Sequence, residues 1–400
     1  MSKFIRGNRD LVKAMNRNLL LNIIRREGQL SRKQLMEISG LSVGSVSGIV
    51  AELLANHWIL EIGEGEFTGG RRQTMIKLNS SAGYAVGLKL MEDRVVIAVT
   101  NFESTILDYR QSPITSRSNY AQLVAELAVI IQEVLDTSHI AIDQIFGIGI
   151  GLAGVIRSNE GIVHHSPYFG WREVPLAQLL SRQIQRPVFI ENDVNTLTLT
   201  EQLFGAGRHY SDFVVMTIGR GIGLGIVVSN QLYQGSRGGA GEFGHTVLLQ
   251  SANGNHPMGF TTLENAASDP AVITNLHRQQ PKLRQSLKTL ADVVSLADAG
   301  NESAKQALMQ SGEFLGAALA NIVNILNPEL VIISGEGTIA GDYRLQPLMT
   351  ALKQYTFDGL LDDVKIVVEP TDDQAWARGA ASLVISKVFE SPIIEVGVAN

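Results

Sequence analysis

Not one of the 400 residues is cysteine, which excludes disulfides and every thiolate metal site. No apolar run reaches the roughly 18 residues of a bilayer-spanning helix, so no membrane partner is expected. Solenoid periods and low-complexity tracts are also missing. The opening MSKFIRGNRD is polar and charged with no apolar stretch behind it, so a cytoplasmic location is expected rather than secretion. What remains, 45% apolar and 18% charged, is a globular composition, and the length suits two or three domains.

Charge is uneven along the chain. Residues 1–78 carry 12 Lys/Arg against 7 Asp/Glu, a net of +5, while the other 322 carry 21 against 32, a net of −11. A small basic piece on a large acidic one points to the first alone meeting a polyanion.

That basic piece predicts three helices and a hairpin. Val12, Met15, Leu19, Leu20, Ile23 and Ile24 recur at helical spacing from about Leu11 to Glu27, where Gly28 stops the helix. In LSRKQL, residues 30–35, Ser31 and Gln34 fit a capping box, Leu30 and Leu35 a hydrophobic staple, and Gly40 the stop. Ser42 caps VGSVSGIVAELLANH, with Val46, Ile49, Val50, Leu53 and Leu54 as its apolar stripe. The turn at Ser39-Gly40-Leu41 makes a helix-turn-helix, and WILEIGEGEFTGGRRQTMIKL reads as a two-stranded wing. A small helical dimerisation module is the alternative to DNA binding. SVGSVSG holds no Arg or Lys, so guanine readout by arginine cannot come from it. Ser42, Val43, Ser45 and Ser47 are expected at base edges, Arg32 and Lys33 on backbone phosphates, and Arg71 and Arg72 on phosphates or in a minor groove.

In the acidic remainder, strand and helix patterns alternate in two sets, which indicates α/β layers in two lobes with a cleft between them. YAVGLKL and RVVIAVT form a hairpin, with a third strand near Ile106. A helix follows near Ala121–Val134, then strand IFGIGIGLAG; a long helix spans Ala304–Leu326 and another closes the chain near Gln374–Val388. Four stretches hold the chemistry: PVFIENDVN, TIGRGIGLGI, GAGEFGH and TLENAAS. Together they offer carboxylates, an amide and an imidazole beside bare backbone, a set suited to a polyhydroxylated ligand. Each also has a plain structural use: Asp193 as a helix cap, His245 as a satisfied buried imidazole, Glu264 as a helix N-terminal charge.

ENDVN, GIGLGIVVSNQLYQGSRGGAGEFGH, TLENAAS and LGAALANIVNILNPELVIISG resemble the ROK family, a group of bacterial sugar kinases and sugar-responsive repressors. The resemblance runs from about Gly83 to Val388, and the winged helix ending in GGRR resembles the repressor branch. It implies an α/β, actin-like (ribonuclease H-like) two-lobed ATPase fold preceded by a small winged helix-turn-helix domain. The implied boundaries are 1–80 for the winged helix, 81–190 plus 374–400 for the first lobe and 191–373 for the second. A hexose-type ligand and a homodimer or homotetramer are implied too. By the same resemblance, Asn192, Asp193, Glu242, His245 and Glu264 match sugar-binding positions, and Asp193 matches the catalytic base of the kinase members.

The departures shape the expected function. Family kinases carry Asp-x-Gly-Gly-Thr in the first hairpin, for magnesium and ATP phosphate; here the hairpin reads GLKLMEDR, and IGRGIG inserts Arg220 in the second glycine turn. Losing the first loop should remove most phosphoryl transfer. Where members place a cysteine cluster, this chain has Asn255, Pro257 and Thr262, so no structural zinc is expected; His245 and His256 alone do not make such a site. SPYFGW brings Tyr168 to a place where the family tends to have Asn-Leu. The expectation is therefore a repressor without cofactor or metal, binding operator DNA and a sugar or sugar phosphate. An active sugar kinase with a regulatory DNA-binding domain is one rival reading. A regulator driven by a protein partner, its sugar pocket vestigial, is the other.

Overall fold

The computed structural model describes residues 9–64, 73–250 and 259–390. The basic segment folds into helices Arg9–Glu27, Arg32–Ser39 and Val43–Ala55. Strand Thr74–Leu78 lies between strands Gln29–Ser31 and Ile59–Glu64 in one small sheet. Ser31 accepts from the Gln34 amide while the Gln34 side chain accepts from the Ser31 amide, closing the capping box. Gly40 ends that helix in the left-handed region at φ 68°. Val46, Ile49, Val50 and Leu53 face inward on the third helix. This is a winged helix-turn-helix, its wing tip and hence Arg71 and Arg72 lying outside the described residues.

The first helix departs from expectation. Val12, Met15 and Leu19 are exposed, because only the second half of the helix meets the body of the protein. There Leu20, Leu21, Ile23 and Ile24 share one apolar cluster with Ala381, Val384, Ile385 and Phe389. Trp58 lies 5.4 Å from Phe102 and 5.7 Å from Phe146, ring centre to ring centre, extending the seam through the wing. Each such aromatic pair adds about 0.5–1.5 kcal/mol beyond simple burial.

Beyond the seam stand two five-stranded sheets with the same connectivity. In the first, Tyr84–Leu90 pairs antiparallel with Arg94–Asn101, which pairs with Ile106–Pro113; on its other side run parallel Ile145–Leu152 and Val188–Asn192. In the second, Phe213–Ile218 pairs antiparallel with Ile222–Val228 and onward to Gln231–Leu232, and runs parallel to Leu330–Gly335 and Lys365–Pro370. Strands buried on both faces read as unbroken apolar runs, as VVIAV and LVII do.

Two helices lie between the sheets. Asp193–Phe204, the cleft helix, follows the last strand of the first sheet; Asp373–Phe389, the closing helix, follows the last strand of the second. Contact is close enough to demand glycine. A Cβ on Gly149 would sit 1.8 Å from the Ala380 carbonyl oxygen, and one on Gly225 would sit 1.8 Å from Thr198 Oγ1. Two like sheets around a helix pair form the actin-like, ribonuclease H-like two-lobed plan.

Candidate functional site

The cleft helix begins where a strand ends, so its first residues stand at the carboxyl edge of the first sheet, the usual ligand position in α/β folds. Asn192, rather than Asp193, is the cap: its Oδ1 accepts from the Val194 amide at 2.9 Å and the Asn195 amide at 3.3 Å, and its Nδ2 donates to Gly154 O at 3.1 Å. That leaves Asp193 free to face the cleft, where its Oδ2 is ion-paired with Lys89 from the first hairpin. Both partners are largely buried, and the Lys89 ammonium also stands 5.0 Å from the Trp376 ring centre. Trp376 Nε1 donates to Glu336 Oε1 at 2.7 Å, and Glu336 reaches the bare backbone of Gly219. The side chains Asp193, Lys89, Trp376 and Glu336 thus form an unbroken relay from one sheet to the other.

The opposite wall comes from the glycine-rich stretches of the second sheet. Glu264 Oε2 accepts from the Ile222 amide at 3.2 Å, in room left by Gly221 and Gly244, where a Cβ would come within 2.9 and 3.1 Å of it. The other glycines of this stretch approach the protein itself. A Cβ on Gly241 (φ +89°) would strike Leu224 O, and one on Gly238 (φ +75°) would strike Ile156 O of the first lobe. Glu242 and His245 open to solvent, the imidazole 3.9 Å from the carboxylate. The cleft walls remove part of Glu242's water and raise its pKa; Asp193 and Glu264 raise it further, while His245 opposes them. Tyr168 lies in the same space, its pKa raised by burial and by Glu264. Arg220 stacks 5.2 Å from the Tyr168 ring and pairs with Glu92 at 2.7 Å, so it ties the second glycine turn to the first hairpin.

Asp193, His245 and Glu264 therefore lie near enough to act on the charge of Glu242, while Asn192 caps the helix that Asp193 begins, its amide turned to backbone. Pattern reading missed Glu191, which is 1% exposed and has no cationic partner among the described residues. It accepts from Ser158 Oγ at 2.7 Å, the Asn192 amide at 2.7 Å and Asn195 Nδ2 at 3.0 Å, and also from Gln234 Nε2. A charged residue closing the apolar strand PVFIEN was the signal in the sequence.

On the winged helix, Ser42 caps the third helix by accepting from the Ser45 amide at 3.2 Å, and the two hydroxyls lie 2.9 Å apart. Val43, Ser45 and Ser47 are exposed, with nothing near Gly44 or Gly48, so the helix presents a shallow, uncharged face. Arg32 pairs with Glu61 at 2.9 Å and Lys33 with Glu37 at 3.8 Å, both at the surface. Exposed pairs contribute about 0–1 kcal/mol, so phosphates can take these cations over.

Of the three positions where a cysteine cluster was sought, only Thr262 is described. Its hydroxyl accepts from the Asn265 amide at 3.2 Å, capping helix Leu263–Ala267. Among the described residues no three His, Asp or Glu side chains gather to hold a metal ion, and no helix is long and apolar enough to cross a membrane.

Residues 85–387 match the ROK family. The chain is 30% identical over 395 residues to the xylose repressor of Caldicellulosiruptor bescii, spanning 96% of this chain and 99% of that one. It is 27% identical over 383 residues to the DNA-binding transcriptional dual regulator NagC of Escherichia coli, spanning 94% of each. A solved ROK family transcriptional regulator, a homolog of the E. coli MLC protein, superposes with a TM-score of 0.82 at 25% identity over 96% of this chain and 98% of that one. A ROK hexokinase from Thermus thermophilus shares the fold at a TM-score of 0.63 and 24% identity, covering 76% of this chain and 99% of the hexokinase. A winged helix joined to two like lobes, with matches along nearly the full length, places this chain in the ROK family.

Proposed function

We propose that the protein is a sugar-responsive transcriptional repressor whose interlobe cleft reports to the winged helix. Asn192, Asp193, Glu242, His245 and Glu264 hold the sugar; Ser42, Val43, Ser45 and Ser47 meet base edges, and Arg32, Lys33, Arg71 and Arg72 meet phosphates. Two copies set two winged helices on the half-sites of a palindromic operator.

One observation carries this reading: a single helix touches both ends of the system. Asp193 opens the cleft helix, and near the other end the Leu203 carbonyl accepts from Arg25 of the first helix. Twelve residues span about 18 Å at 1.5 Å per residue. Alongside, the closing helix ends on the same partner: Asn22 Nδ2 donates to Phe389 O at 2.8 Å and Asn18 Nδ2 to Glu390 O. A sugar that draws the lobes to a new spacing shifts both helices and carries the winged helix with them. The ligand must bind the two arrangements unequally, and about 1–3 kcal/mol of coupling suffices.

Phosphoryl transfer is not the role we assign. A general base must be free to accept a proton, whereas Asp193 is ion-paired with Lys89, and Glu336 stands against the second glycine turn. The test is operator binding by fluorescence anisotropy, using DNA selected from a random library, with and without D-xylose, N-acetyl-D-glucosamine and D-glucose. One of these neutral sugars should change operator affinity by about tenfold or more. Unchanged affinity across a wider aldose panel would overturn the proposal.

A further inference from the structure

We infer that residues 233–241 form a strap from the second lobe onto the first, and that Glu191 and Gln234 clasp it as positioning residues that set the separation of the cleft walls. The inference rests on the sugar-binding reading above. Both ends of the strap are bound to the second sheet: the Tyr233 amide donates to Ile226 O at 2.8 Å, and the Leu224 amide donates to Gly241 O at 3.1 Å. Between them the Ala240 amide donates to Gln234 O at 3.1 Å, closing the strap on itself.

Two contacts seat it on the first lobe. Gly238, at φ +75°, lies so close to strand Val155–Arg157 that a Cβ would stand 1.9 Å from Ile156 O. Gln234 Nε2 donates to Glu191 Oε2, which also accepts from Ser158 Oγ at 2.7 Å. Glu191 Oε1 accepts from the Asn192 amide at 2.7 Å and from Asn195 Nδ2 at 3.0 Å. One carboxylate, 1% exposed, thus joins the strand end and the cleft helix to the second lobe. Its place in the chain gives that joint a use. Glu191 directly precedes Asn192 and Asp193, and the strap runs directly into Glu242 and His245. A shift at the clasp therefore changes the distance between the two sets of sugar ligands.

The donors and acceptors at the joint can be exchanged. Gln234→Glu sets carboxylate against carboxylate with no hydrogen between them, and Glu191→Gln sets amide donor against amide donor. Made together, the two changes restore the bond in reverse. The new amide keeps its oxygen for Asn192 and Asn195 and donates to the new carboxylate and to Ser158 Oγ, whose hydroxyl turns to accept.

The test has a readout that needs no sugar. Arg237 is exposed on the strap, and trypsin cleavage there, followed by mass spectrometry, reports the population in which the strap is released. Each single variant should speed that cleavage by at least about tenfold, and the double variant should return it to within about threefold of the parent. Gly238→Ala, acting at the other contact, should speed it as well. By calorimetry, affinity for whichever of D-xylose, N-acetyl-D-glucosamine and D-glucose binds the parent should fall by at least about tenfold in each single variant and recover in the double. Unchanged cleavage at Arg237 in the single variants would overturn the inference and leave the sugar reading standing. So would protection lost along the whole chain and not recovered in the double, which marks a residue of the core alone. Sugar affinity that ignored the exchange while cleavage followed it would overturn the positioning role. If no sugar bound the parent, the sugar reading would fall and take that role with it.

Discussion

Replacing Arg25 by alanine should disconnect the cleft from the winged helix without destroying either. Arg25 donates from Nη1 to the Leu203 carbonyl and from Nη2 to Asn22 Oδ1 at 3.3 Å. Burial, with Arg208 and Arg26 nearby, lowers its pKa to about 10, still cationic at neutral pH. Leu203 lies in the last turn of its helix, where carbonyls lack an intrahelical partner and a cation is favoured. A hydrogen bond involving a charged group contributes about 1.5–3 kcal/mol. If that contact differs between the two lobe arrangements, Arg25→Ala removes up to the same amount from the coupling. At 1.4 kcal/mol per factor of ten, the sugar-dependent change in operator affinity should shrink by up to about tenfold, toward no response. Sugar affinity of the DNA-free variant should stay within about threefold of the parent, because Arg25 is remote from the cleft. Anisotropy with operator, with and without saturating sugar, reads the first quantity and calorimetry the second. A folded Arg25→Ala protein whose operator affinity still responds by the full wild-type factor would refute the route.

Glu242→Gln tests the cleft electrostatics. A glutamate whose folded pKa is raised is destabilising when ionised, so its favourable contribution is present below the ordinary carboxylate range and lost as pH rises through the raised value. Sugar hydroxyls prefer the ionised form, hence wild-type affinity should weaken on acidification earlier than an ordinary glutamate would dictate, and the variant should show a flatter profile; equal profiles would contradict this. Glu191→Ala strands several buried donors, each costing about 1–3 kcal/mol, so urea denaturation should register a loss above about 2 kcal/mol. Arg71→Ala with Arg72→Ala should weaken operator binding and reduce the slope of log affinity against log salt by about 1–2; an intact slope would take the wing off the phosphates. With ATP and magnesium, the panel sugars should give no ADP release; sugar-dependent release abolished by Asp193→Asn would restore the kinase reading.

Local signals were legible in the sequence and distant ones were not. Ser31 with Gln34, and Ser42 before the third helix, encode their caps within three residues, and both form. ENDVN, GAGEFGH and TLENAAS were readable as a set because each joins polar groups to glycine or a helix start. Lys89, in the hairpin GLKLMEDR, pairs with a carboxylate 104 positions away, a spacing that no periodicity reports. Asn18 reaches Glu390 across 372 positions in the same way. The shared plan of the two sheets was hidden for a related reason: the lobes repeat strand connectivity, not residues. Val12, Met15 and Leu19 show the opposite error, since spacing marks an apolar face but not whether anything covers it.

The most direct measurement of the central claim is titration of the active sugar into operator-free and operator-bound protein. Coupling through the cleft and closing helices predicts affinities that differ between the two states by the same factor that the sugar exerts on operator binding. Identical sugar affinity in both states would contradict the account.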